Sequence, residues 1–334
     1  SVHSGSPDSS GRTRIPDFIN PIHDTGKKMT PKFSSKEIHF LKSDADDFSV
    51  TPPETFQADL LLDPSPQIHA FEKRLEKSRI PGRSFLCAVI QVASHASAAV
   101  IEKAPDTLET TFSSFLGNNR GVWESLNTTT FALAFWDYDN EKNASRLLDT
   151  LKEKIHTALK TDILMGVAVF PFHTFSRTQT FANALKAIDH AAFFGPDTLI
   201  HFDATTLNIS GDRFYQMGKF DLAIQEYQKG LELKPKDINL INSLGVCYGV
   251  MGELDKARQQ FESAMKINAN EVMVVYNLGL LSQINSDTDK AIVYLRKAHG
   301  INDRVFEVEV LLARLLKQKN QPDAALKHLD AAAA

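Results

Sequence analysis

The spacing of apolar positions changes twice along the 334-residue chain and divides it into three stretches. Residues 1–62 keep no helical or strand period. Eight of the 14 prolines fall in the first 66 residues among Ser, Asp and Lys, so this stretch reads as a linker or loosely structured arm. Its one apolar run, "FQADLLL", offers a patch that could dock on the neighbouring domain. From 63 to 203, helical and alternating segments take turns: "QIHAFEKRL" helical, "SFLCAVIQV" strand, "PDTLETTFSSFL" helical, then two arms of a hairpin around "ESLNTTTFALAFWD". After them come "NEKNASRLLDTLKEKIHTALK" helical, "DILMGVAVFPF" strand, "TFANALKAIDHAAFF" helical and "TLIHF" strand. In the third of these helices Leu147, Leu148, Leu151, Ile155, Ala158 and Leu159 recur at three and four, with Asp139 or Asn140 available as N-cap. In the hairpin, Phe131, Leu133 and Phe135 alternate onto one face. Helices between strands plus one hairpin predict an α/β sandwich with a mixed sheet.

From 204 onward the signal is an internal repeat. Gly211, Gly245 and Gly279 lie 34 apart, as do Ala223, Ala257, Ala291 and Ala325, and Tyr227, Phe261, Leu295 and Leu329. Gly230, Ala264, Ala298 and Ala332 keep the same phase. Small residues where helices approach and bulky ones where they interlock predict stacked antiparallel helix pairs. The units are 204–237, 238–271, 272–305 and a partial 306–334. The series in "NSLGVCYGVMGELDKARQQFESAMKINAN" resembles the tetratricopeptide repeat (TPR) family, with Ser282 at a usual aromatic position and Ala269 and Asp303 where a proline often sits.

That resemblance implies an all-α TPR solenoid whose first helices line a concave groove for a protein or peptide partner. Its lining positions fall on Asn208, Asp212 and Tyr215, on Asn239, Asn242, Ser243 and Val246, and on Met273, Tyr276, Asn277 and Leu280. An asparagine amide both donates and accepts, which suits a peptide backbone, while Tyr and Met offer apolar contact. The other reading of the asparagines is that they cap or bridge neighbouring repeats. The Lys and Arg arrangement with which chaperone-binding members clamp a terminal carboxylate has no match here.

The middle stretch resembles the GGDEF family of diguanylate cyclases, in "ILMGVAVFPF" and in "ANALKAIDHAAFFGPDTLIHFD". This implies a ferredoxin-like, nucleotidyl-cyclase-like mixed sheet with helices. The family's signature then falls on Asn127, Thr128, Thr129, Thr130 and Phe131, and only Phe131 agrees. Joining two nucleoside triphosphates needs carboxylates to hold divalent metal and glycines to let the backbone approach the nucleotide. The metal aspartate aligns with Gln91, the acidic pair with Thr129 and Thr130, and the glycines with Asn127 and Thr128. The family's inhibitory RxxD site is also unmatched, since Arg120 is followed at three residues by Trp123. The implied reading is a degenerate, catalytically inactive domain without cofactor or metal, in a bacterial-type signalling scaffold. The alternative is a nucleotide or cyclic di-GMP sensor without turnover.

Composition narrows the classes further. A net charge of −4 from 37 basic and 41 acidic residues gives no broad basic field for nucleic acid, and no apolar run is long enough for a bilayer. With two cysteines, Cys87 and Cys247, too few for a disulfide framework, the chain reads as cytoplasmic, with both as buried small residues in a reducing compartment. Ser1 and the polar "SVHSGSPDSSGR" carry no secretory signal pattern and read as the start of a cut piece of a longer chain. His95, His173, His190 and His201 lack ligand spacing, which argues against a zinc site made from them.

Overall fold

The computed structural model describes residues 56–80, 84–93, 95–117, 120–136 and 141–333. Most of the 1–62 arm and the N-cap candidates Asp139 and Asn140 lie outside these residues. Described elements begin with a 3-10 helix, Gln57–Leu61, and α1 (Pro66–Lys77), followed by β1 (Phe85–Val92), α2 (Ala98–Leu116), β2 (Gly121–Ser125) and β3 (Thr130–Phe135). Next are α3 (Glu141–Leu159), β4 (Ile163–Phe170), α4 (Gln179–Ala192) and β5 (Leu199–His201).

β1 lies at the centre of a mixed five-stranded sheet of order β2-β3-β1-β4-β5. It runs antiparallel to β3, from Leu86 opposite Phe135 to Gln91 opposite Thr130, and antiparallel to β4, from Phe85 opposite Phe170 to Val92 opposite Ile163. β4 and β5 are parallel, joined by α4. Both sheet faces are covered, which is why β1 reads as an unbroken apolar run. Phe85, Cys87 and Val89 meet α1 and α4 on one face, and Leu86, Ala88 and Ile90 meet α2 and α3 on the other. α4 lies so close over β4 that a Cβ on Gly166 would fall 2.1 Å from the Ile188 amide nitrogen.

One local feature departs from the sequence reading, and another extends it. α2 starts at Ala98, capped by Ser97, and continues through Pro105. An interior proline costs a helix about 3 kcal/mol, but Ala104, Leu108, Phe112 and Leu116 are buried on one stripe on both sides of it, and that burial outweighs the lost bond. The "FQADLLL" run is built into the fold. The Gln57 and Ala58 amides donate to the two carboxylate oxygens of Asp189 on α4 at 2.5 and 2.9 Å. Asp59 receives Arg213 at 2.7 Å, and the guanidinium also lies 4.7 Å from the centre of the Phe56 ring.

Four helix pairs complete the chain: α5 (Ala204–Gln216) with α6 (Phe220–Leu233), α7 (Ile238–Val250) with α8 (Leu254–Ile267), α9 (Val272–Ile284) with α10 (Thr288–Ile301), and α11 (Phe306–Gln318) with α12 (Pro322–Ala333). Each second helix packs on its partner, and α6, α8 and α10 pack also on the next first helix. The 34-residue families now have a geometric meaning. A Cβ on Gly211 would stand 2.4 Å from the Tyr227 ring, one on Gly245 2.6 Å from the Phe261 ring, and one on Gly279 3.1 Å from Leu295. The glycine in each first helix is thus the seat for the bulky residue in the second. The first pair does not stand apart from the sheet: Leu207 and Leu233 join the core on the α1/α4 face. Lys186 of α4 donates to both Glu226 oxygens on α6 at 2.8 and 2.7 Å, with both side chains buried.

Glycine-to-alanine changes in this series should therefore differ in sign or size. Alanine adds helix propensity of about 1 kcal/mol, against an overpacking cost of roughly 1–3 kcal/mol where a rigid ring must move. Gly211→Ala and Gly245→Ala are expected to lower the midpoint of urea unfolding, and Gly279→Ala to leave it close to the parent. Equal losses at all three positions would show that the ring contacts do not set the register.

Candidate partner-binding groove

The first helices α5, α7 and α9 touch one another in a row, and this row carries every position expected to line a groove. α7 and α9 are predominantly apolar, "INLINSLGVCYGV" and "VMVVYNLGLLSQI", as befits helices whose middle turns are packed between neighbouring pairs. Residues 240–249 and 274–282 are buried without exception.

The expected lining residues fall into distinct environments. Asn239 is exposed, and Asn208, Asp212, Tyr215 and Met273 are half-buried. Asn242, Ser243, Tyr276 and Asn277 are buried, as are Val246 and Leu280. Asn277 Nδ2 donates to Asn242 Oδ1 at 2.9 Å, linking α9 to α7. Of the two readings of these asparagines, bridging between repeats describes this pair. Asp212 accepts the Tyr227 hydroxyl at 2.7 Å. Burial pushes the Tyr276 hydroxyl above the usual tyrosine range, and the Glu307 charge adds to it. Asn208 Oδ1 is different: it is buried and has no hydrogen-bond partner among the described residues.

Elsewhere, the hairpin tip is closed on itself. Asn127 Oδ1 accepts from the Thr129 and Thr130 amides, both at 2.9 Å, and the buried Thr130 hydroxyl donates to Gln57 Oε1 at 3.0 Å. Cys87 and Cys247 are buried and are not joined in a disulfide, and the Cys247 thiol lies 3.7 Å from the Phe220 carbonyl oxygen. The four histidines weighed from sequence stay apart: His95 faces Asp162, His173 meets Thr174, His190 meets Thr206, and His201 sits on β5. Burial lowers the His190 pKa while Asp203 opposes it.

Among the described residues, a different set converges. Glu309 of α11 receives His299 Nδ1 of α10 at 2.6 Å on one oxygen and His328 Nδ1 of α12 at 2.7 Å on the other. The signal for it was present in the 34-residue register. Leu207, Ile241 and Val275 occupy the position of Glu309 in the preceding units, all buried. A carboxylate in an apolar slot stands out once the units are aligned.

Like Glu226 and Glu309, Asp189 is a buried acid. Burial pushes its pKa up to about 7, with the Asp59 charge adding to the rise; the Ala58 and Gln57 amides and Arg213 oppose it without overcoming it.

A family model described as a TPR repeat matches residues 211–252, so a TPR repeat is present across α5–α7. A search of the curated proteins gives no match. Similar solved structures include the first TPR of Spaghetti (RPAP3) bound to the HSP90 peptide SRMEEVD, 19% identical over 35% of this chain and 94% of that one, with a TM-score of 0.34. MamA from Desulfovibrio magneticus RS-1 is 18% identical over 39% of this chain and 73% of that one, with a TM-score of 0.35. YrrB, described as a TPR protein with an unusual peptide-binding site, is 22% identical over 39% and 67%, also with a TM-score of 0.35. No helix among the described residues is long and apolar enough to cross a membrane.

Two predictions come from these buried groups. Asn242→Ala takes the acceptor from a buried donor and should cost roughly 1–3 kcal/mol of unfolding free energy. Asn277→Ala should cost a similar amount, and the double variant less than their sum, the coupling being read from a double-mutant cycle. Additive losses would show that the amide bond contributes nothing. For Asp189, the folded pKa lies above the unfolded value near 3.9, so the folded chain holds the proton longer as pH rises. Its contribution is fully present below about pH 4 and is lost towards pH 7, on the order of 4 kcal/mol in all. Melting curves from pH 4 to 8 should show this decline in the parent and a shallower one in Asp189→Asn.

Proposed function

We propose that this chain is a non-catalytic scaffold that binds a protein or extended peptide along the row of first helices, beginning at α5. The observation that carries the reading is Asn208 Oδ1, a buried acceptor left without a partner on the first of these helices. An unmet acceptor costs about 1–3 kcal/mol, and a backbone N–H from a ligand would satisfy it. Half-buried Tyr215 on the same helix and Met273 on α9 supply adaptable apolar contact at other expected lining positions, and exposed Asn239 adds a further amide. The buried Asn242, Ser243, Tyr276 and Asn277 serve this surface as its rigid backing.

We further propose that the sheet domain is GGDEF-like in fold and inactive as a cyclase. Its β1-α2-β2-β3-α3-β4 order and the spatial order β2-β3-β1-β4 are those of a split βαβ, ferredoxin-like core, which supports the resemblance. At the aligned metal and nucleotide positions stand Gln91, Asn127 and three threonines. Asn127 is engaged in capping its own turn, and the Thr130 hydroxyl is engaged by Gln57. None of these groups supplies the negative charge that holds a divalent cation against phosphate.

The binding test is a pair of opposed effects at one residue. Asn208→Leu removes the unmet acceptor and should raise the melting temperature, while weakening a partner isolated with the parent chain by about 5- to 150-fold. Unchanged affinity would place the interaction elsewhere. A GTP assay with Mg2+ or Mn2+ should yield no cyclic dinucleotide above a protein-free blank; product that disappears on changing an acid within 84–136 would refute the inactive reading.

A further inference from the structure

We propose that His299, Glu309 and His328 form a binding site for one divalent transition-metal ion, Zn2+ by ligand type, which clamps the last helix onto the array. Three departures from the repeat meet at this point. Glu309 replaces the apolar series Leu207, Ile241 and Val275. His299 stands where earlier units have Leu231 and Met265, and His328 where they have Glu226, Gln260 and Tyr294. One helix contributes each residue, so the site forms only when α10, α11 and α12 are assembled.

The geometry is that of an incomplete tetrahedron. One ligand atom from each residue can be chosen so that all lie within 4.8 Å of one another. The two rings meet edge to face with centroids 4.9 Å apart. In a tetrahedral zinc site with bonds of about 2.0–2.1 Å, ligand atoms stand about 3.3 Å apart. The present Nδ1 to oxygen distances of 2.6 Å to Oε1 and 2.7 Å to Oε2 lie below that spacing and the 4.8 Å limit on the set lies above it, so binding one ion requires the two imidazoles to turn toward a common point. With neutral rings, ligation through Nδ1 leaves each ring proton on Nε2, so no other group need accept it.

Charge and access agree with this assignment. The Glu309 side chain is 1% exposed, and a carboxylate taken that far from water calls for a cation against it. The histidine side chains are 37% and 17% exposed, which leaves a route for the ion and room for water at the fourth position. Two imidazoles and one carboxylate suit zinc and its neighbours. Calcium and magnesium prefer six or more oxygen ligands.

The full chain, stripped by chelator and dialysed, is titrated with ZnCl2 by calorimetry, with hydrogen exchange followed in parallel. The expected result is about one Zn2+ per chain, slower exchange across residues 322–333, and at least ~10-fold weaker binding by Glu309→Gln and His328→Ala. His299→Gln, at the most exposed ligand, serves as the check if Glu309→Gln does not fold by circular dichroism. Zinc binding of equal affinity in these variants, no binding by the parent, or CaCl2 binding as tightly as ZnCl2 would each overturn the assignment.

Discussion

The rest of the structure depends on keeping α4 out of water on both sides. One side of this helix covers the sheet at β4, close enough to require Gly166 beneath Ile188. The other side meets α5, α6 and the 3-10 helix, and along it lie Lys186, Asp189 and His190, all buried. Each has a specific partner: Glu226, the Gln57 and Ala58 amides, and Thr206. Apolar burial would hold α4 without selecting its rotation. Polar groups that are costly to bury unpaired allow few alternatives to the observed seating.

That seating makes the helix array an extension of the sheet domain rather than an appendage. Leu207 and Leu233 belong to the sheet's own core, and Arg213 reaches back to Asp59. The inner row of first helices starts at this junction. Asn208, with its unmet oxygen, lies one residue beyond Leu207, so the proposed binding surface begins where the scaffold is best anchored. Functional groups placed on such a support hold their geometry more tightly than groups on loops.

Most elements were legible in the sequence because each carries its own period. The apolar stripe of α3, the alternation in β3 and the 34-residue families are local signals that tertiary contacts only reinforce. The start of α2 was not legible, because Pro105 is a strong local breaker and the burial of Ala104 and Leu108 that overrides it is a tertiary fact. The docking of Gln57 on Asp189 joins residues 132 apart, and nothing in either segment names the other. At the groove, the sequence showed which residues occupy lining positions but not which way each amide is spent. Asn242 and Asn208 sit at equivalent positions in their units, yet one bonds Asn277 across repeats and the other has an empty acceptor. Glu309 was legible in principle, as a charge in an apolar register, but it stands in a segment that reads as an incomplete unit.

The interlocking of glycine seats with bulky partners also gives the array a direction. Each unit leans only on its neighbours, so cooperativity passes from pair to pair rather than through a common core. At the α5 end that chain of dependence rests on a buried ion pair and a sheet, whereas among the described residues α12 leaves Leu326 and Leu329 exposed. Resistance to local opening then forms a gradient along the array, greatest beside α4 and falling with distance from it. A ligand spanning several first helices would draw on that gradient, lending the firmness of the anchored end to the units beyond it.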